Sequence, residues 1–123
     1  MSENIVDIQD RVQPLRVTDN KSGYVYELDF SRDSIRGAES RGFELGDVTK
    51  FPVSKIPEFW YYAFRKNHKN MARSQTDALL ERLGGLTAPA LERLIQLYNQ
   101  AALTHLLVSE EDAAKNAEVT VEL

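Results

Sequence analysis

The sequence predicts an α+β protein: an N-terminal β-hairpin packed on a small bundle of about four α-helices, followed by a flexible acidic C-terminal tail. Three observations carry that prediction. Tyr24, Tyr26, Leu28 and Phe30 alternate on one face directly after the turn residues Asp19-Asn20-Lys21-Ser22-Gly23, the pattern of a hairpin. Ile56, Phe59, Trp60, Ala63 and Phe64 recur at the spacing of an amphipathic helix. Leu91, Leu94, Ile95, Tyr98, Ala102 and Leu106 do the same along a longer stretch.

Taken in order, residues 1–10 are polar with scattered Ile5, Val6 and Ile8 and are expected to fray or dock loosely. The first strand falls within residues 11–17. Pro14 has no N–H to donate, so that strand lies at an edge or starts one residue later. After the second strand, Ser31 occupies an N-cap position with Asp33 in the first turn, and the short helix presenting Ile35 and Ala38 stops at Gly42. Residues 43–48 form a turn region. Ser54 is expected to cap the aromatic helix, with Pro57 in its first turn. Tyr61 and Tyr62 flank its apolar stripe, each with a hydroxyl that requires water or a partner. Ser74-Gln75-Thr76-Asp77 opens a further helix that presents Ala78, Leu79, Leu80 and Leu83 before Gly84-Gly85 ends it. Thr87-Ala88-Pro89 starts the longest helix, whose apolar face Leu103 and Leu107 widen enough to reach several elements or a second chain. Residues 11–108 thus form one domain. Residues 109–123 form an acidic tail in which Val119-Thr120-Val121-Glu122-Leu123 alternates as a candidate terminal strand, able to add to a neighbour's sheet edge.

Composition narrows the function classes. An apolar fraction of 42% with 28% charged residues is that of a globular protein, and no apolar run approaches the ~20 residues of a membrane span. The start Met1-Ser2-Glu3-Asn4 lacks the basic head and apolar stretch of a secretory signal, and cysteine is absent, so a reducing cytoplasm is the expected setting. The formal charge of −4 resides in the last sixteen residues, where Glu110, Glu111, Asp112, Glu118 and Glu122 outweigh Lys115. The remainder is formally neutral and contains one basic cluster, Arg65, Lys66, Lys69 and Arg73.

No constellation suggests catalysis or a cofactor. His68 and His105 lie in separate helices without a second ligand at metal-binding spacing. No serine has the glycine-flanked nucleophile elbow, and Gly84-Gly85 lacks the Lys-Ser/Thr of a phosphate loop. On a continued helix most cations of the basic cluster would share one side and meet phosphates or acidic side chains, although cations at a helix C-terminus are also favoured by the macrodipole. An acidic chain with one such patch is a poor electrostatic match to nucleic acid, so a protein partner is expected. The candidate contact residues are Tyr61, Tyr62, Lys66, Lys69, Leu103, Leu107, Val119 and Val121. A small adaptor or nucleic-acid-associated regulator using the basic cluster is the alternative.

Between about residues 24 and 100 the chain resembles the tail assembly chaperones of long-tailed bacteriophages. The resemblance rests on Glu27-Leu28-Asp29-Phe30 ending the strand, on the serine-containing helix closed by Arg41-Gly42-Phe43, and on Pro52 ahead of the aromatic helix. It also rests on Ala63-Phe64-Arg65-Lys66-Asn67-His68-Lys69 and on Leu91, Leu94 and Tyr98 in the last helix. It implies a non-enzymatic protein without cofactors that binds the tape-measure protein, keeps its long hydrophobic helices soluble and recruits tail-tube subunits. It further implies a host cytoplasmic location, absence from the mature virion, and a homo-oligomer.

Overall fold

The computed structural model describes residues 11–103 and 118–123. An antiparallel hairpin comes first, β1 (Leu15–Thr18) and β2 (Val25–Leu28), followed by α1 (Arg32–Ser40), α2 (Asp47–Lys50), α3 (Pro52–Phe64), α4 (Arg73–Leu83) and α5 (Ala88–Leu103). This is the α+β architecture expected, with one short helix more. The flexibility expected of residues 1–10 and the acids Glu110, Glu111 and Asp112 lie outside the described residues.

The strands pair in the register Leu15↔Leu28, Arg16↔Glu27, Val17↔Tyr26 and Thr18↔Val25. Period-two geometry therefore puts Leu15, Val17, Tyr26 and Leu28 on the face toward the helices and leaves Arg16 and Glu27 in solvent. β1 begins directly after Pro14. The turn closes through the Asp19 N–H on the Tyr24 carbonyl (2.8 Å) and the Gly23 N–H on the Asp19 carbonyl (2.7 Å), with Gly23 at φ +77° where a side chain would be strained. Tyr24, expected on the inward face, is more than half exposed at the strand's mouth.

Ser31 caps α1 through a reciprocal pair: its hydroxyl accepts from the Ser34 N–H, and the Ser34 hydroxyl accepts from the Ser31 N–H. Ile35 and Ala38 face inward, and Gly42 at φ +86° turns the chain back so that Phe43 enters the core. The segment read as a plain turn then makes the one-turn helix α2, which buries Val48. α3 starts earlier than expected. Pro52, not a residue capped by Ser54, is its first residue, since proline's fixed φ suits that position and its missing N–H costs nothing there. Pro57 consequently lies inside the helix; the carbonyl it cannot reach belongs to Val53, which stands open to water. α4 likewise begins at Arg73. Gln75 rather than a serine hydroxyl completes the cap, its Oε1 accepting from the Ala72 N–H at 2.8 Å.

α3 organises the core. Phe59 stacks between Phe30 (5.3 Å) and Phe43 (5.6 Å), and Tyr98 of α5 meets all three rings edge-on or tilted. The next residue of α3, Trp60, packs against Phe64 (5.1 Å) and donates from Nε1 to the Thr76 carbonyl of α4 at 2.8 Å. The α5 face expected to be available to several partners is largely consumed here: Leu94, Leu97 and Tyr98 are buried, while Leu103 is exposed at its end. Leu83, expected in the α4 stripe, is also exposed, and Thr76 is that helix's fully buried residue. Among the described residues no helix is long and apolar enough to cross a membrane.

Candidate partner-binding surface

The chain leaving α3 does two jobs. The first is to close the outer edge of β2. An antiparallel strand directs alternate N–H and C=O pairs away from its partner, so Glu27 and Asp29 present theirs outward. The Glu27 N–H donates to His68 Nε2 (3.1 Å), and Asn67 Nδ2 donates to the Glu27 carbonyl (3.2 Å). Two side chains thereby replace the backbone of a missing third strand. Two residues on, the Asp29 N–H donates to the Ala63 carbonyl at 3.1 Å, and Lys66 Nζ binds Asp29 Oδ2 at 2.7 Å. The His68 ring is held edge-on against Tyr26 (5.2 Å) and near Phe64 (6.1 Å). Thus Ala63, Asn67 and His68 of the resemblance motif form a clamp on the hairpin.

The second job is to wall a cleft. α1 and the end of α3 lie side by side, and between them Arg41, Arg65, Lys66 and Lys69 surround a recess of about 390 Å³ with Tyr62 and Ala38 in its lining and Asp33 and Ser34 at one side. The guanidinium of Arg65 sits 5.6 Å from the Tyr61 ring centre and its Nη1 donates to the Lys69 carbonyl, which folds the turn back over the helix end. Tyr62 packs edge-on against Phe43 (5.3 Å); burial, then the charge of Glu58, pushes its hydroxyl above the usual tyrosine range. Burial, then Glu39, does the same to Tyr98 on the far side of the core. The cleft therefore offers positive charge over an aromatic floor.

This geometry revises the sequence reading. The basic cluster does not share one side of a continued helix, because α3 ends at Phe64 and α4 starts afresh at Arg73. Arg73 instead pairs with Asp77 (2.9 Å), the i,i+4 partner within its own helix. Lys66 and Lys69 are both exposed, but Lys66 is partly neutralised by Asp29, which leaves Lys69 as the lysine of the expected set without an ion pair among the described residues. Tyr62, expected as a free flank, is 6% exposed, since Phe43 arrives from a segment that periodicity could not place and covers it. Tyr61 remains half-buried at the rim. Leu103 is exposed as expected. Leu107 lies outside the described residues. Val119 and Val121 are exposed, and residues 118–123 form no strand within the single chain. Arg41 was missed; its position before Gly42 signalled a helix end, not a cleft wall. Phe51 and Val53, exposed at the junction of α2 and α3, were not singled out in the sequence.

No group of three or more His, Asp or Glu side chains among the described residues is placed to hold a metal ion. Comparison with known proteins gave one finding: a family model described as a domain of unknown function, DUF5055, matches residues 1–123. Neither the curated proteins nor the solved structures gave a match.

Proposed function

We propose that this chain, which belongs to the DUF5055 family along its whole length, is a small assembly chaperone of the type long-tailed phages encode beside the tape-measure gene. In this reading it binds the tape-measure protein, keeps that client's long apolar helices from associating with one another, and hands it to tail-tube subunits in the host cytoplasm without entering the virion. It has no enzymatic role and needs no cofactor. The observation that supports it best is the cleft between α1 and α3, where Arg41, Arg65 and Lys69 stand around Tyr62 and the Arg65 guanidinium also lies over the neighbouring Tyr61 ring. Tyrosine and arginine are the side chains that most often carry binding energy in protein interfaces, and a flanking set of cations selects a helix bearing acids beside its apolar stripe. The apolar side chains left outside, Phe51, Val53 and Leu103, extend the surface available to such a client.

The test is co-expression with a tape-measure-like client built of long amphipathic helices. The client stays soluble and co-purifies with the wild-type chain, and Tyr61→Ala combined with Lys69→Glu releases it while the chaperone still unfolds cooperatively. A client that precipitates equally with and without the chain ends the proposal. The four cations also favour a second reading, a small nucleic-acid-associated regulator. Raising salt from about 50 to 200 mM would then strip binding of labelled duplex by orders of magnitude, whereas an interface with an aromatic floor loses little.

A further inference from the structure

The two edges of the hairpin are unequal. That of β2 is closed by the clamp. Because Glu27 turns its N–H and C=O away from β1, its cross-strand neighbour Arg16 belongs to a non-hydrogen-bonded pair and turns its own pair away from β2, as does Thr18 opposite Val25. Among the described residues no hydrogen bond reaches the backbone N–H or C=O of Arg16 or Thr18. Beside this bare edge lies a recess of about 290 Å³, lined on its helix side by Leu83, Leu86 and Ala90 and floored by Trp60. Leu83 is half exposed there although it is apolar.

The chain also carries a segment suited to that edge. Residues 119–123 alternate Val, Thr, Val, Glu, Leu, and in the single chain Val119 and Val121 are 87% and 84% exposed. We propose that residues 119–123 of one copy add to β1 of a second copy as an antiparallel third strand, with Glu122 opposite Arg16, Val121 opposite Val17, Thr120 opposite Thr18 and Leu123 opposite Leu15. This register follows from three constraints. Hydrogen bonding to the outward groups of Arg16 and Thr18 requires their partners to share their solvent face, which selects Thr120 and Glu122. Val119, Val121 and Leu123 then point to the recess beside Leu15 and Val17. The antiparallel direction sets Glu122 across from Arg16 and Thr120 across from Thr18, an opposite-charge pair and a threonine pair, both favoured across strands. Addition occurs in trans because the single chain, with the segment in hand, leaves it in solvent. This is β-augmentation with an identical chain as donor, and it does not depend on the identity of any client.

The full-length protein and a variant lacking residues 119–123 are compared by sedimentation over a range of concentrations, with Val121→Asp as the point variant on the donor side and Thr18→Pro on the acceptor side. Thr18→Pro removes an outward N–H without breaking a bond to β2. The full chain sediments as an assembly larger than the monomer, and all three variants sediment as monomers that still unfold cooperatively. Amide exchange at Arg16 and Thr18 is slow in the full chain and fast in the truncated one. Mixing truncated, isotopically labelled chain with full-length chain carrying a spin label at position 123 broadens the Arg16 and Thr18 amides of the labelled copy. A full-length monomer, an assembly that survives truncation, or slow exchange at Arg16 in a monomer, which would mean docking in cis, each overturns the proposal; should Thr18→Pro fail to fold, the truncation decides alone.

Discussion

His68 is the residue at which a binding role and a structural role separate. Replacing it by alanine removes the acceptor for the Glu27 N–H and the ring that packs on Tyr26 and Phe64. The lost hydrogen bond contributes about 0.5–1.5 kcal/mol. The ring contacts contribute about 0.5–1.5 kcal/mol beyond burial, and His68 is only half-buried, which places the sum near the lower end of each range. His68→Ala should thus destabilise the protein by about 1–1.5 kcal/mol, roughly a 4–6 °C drop in melting temperature for a domain of this size. Lys69→Ala, one residue on and exposed, should change stability by less than about 0.5 kcal/mol. Urea unfolding measures both, and hydrogen exchange adds a local signature: the Glu27 amide is protected in the wild type and exchanges rapidly in His68→Ala, while the amide of Val25 is little affected. If His68→Ala unfolds at the wild-type midpoint with the Glu27 amide still protected, the clamp does not hold the strand edge and the reasoning fails.

Two further outcomes follow from the packing and the charges. Trp60 is fully buried and bonded to the Thr76 carbonyl, so its emission is blue-shifted, Trp60→Phe costs about 1–2 kcal/mol and Trp60→Ala about 3–5 kcal/mol; an emission maximum typical of indole in water would rule out this placement. The Arg82 hydrogen bond, aided by the Lys21 N–H, holds the Asp19 carboxyl at about 2 against an ordinary 3.8. A depressed carboxylate stabilises the fold above its unfolded value and loses that contribution as pH falls through the folded one, so Asp19→Asn is less stable than wild type at neutral pH and the gap closes between about pH 4 and pH 2. Urea midpoints taken stepwise across that window give the answer, and a gap that stays constant with pH would exclude Asp19 as its source.

What the sequence made legible was whatever short-range chemistry decides. The Asp19 to Gly23 turn, the Ser31 cap and the stripe from Ile56 to Phe64 each depend on neighbours within a few positions, and each stands where periodicity and capping rules put it. The start of α3 was misplaced because Ser54 and Pro52 both carry start signals, and proline's fixed φ prevailed. The role of His68 had no sequence signal: its partner Glu27 is 41 positions away, and a histidine that accepts from a strand edge looks the same on the page as one at an idle helix end. The same holds for Arg41, which joins the cleft only because α1 happens to lie along α3. Tyr62 was misjudged, and Leu97 passed over, for a related reason, since the width of a buried helix face is set by what packs against it and not by the helix itself.

The clamp on β2 also fixes the valence of the hairpin. A two-stranded sheet with both margins open could receive a strand on either side, and chains joined that way could branch. With Asn67 and His68 occupying one margin, the described residues leave a single acceptor and offer a single terminal donor. Units with one acceptor and one donor link only into closed rings or unbranched rows, so the side chains of two residues determine the connectivity open to any assembly built through this sheet.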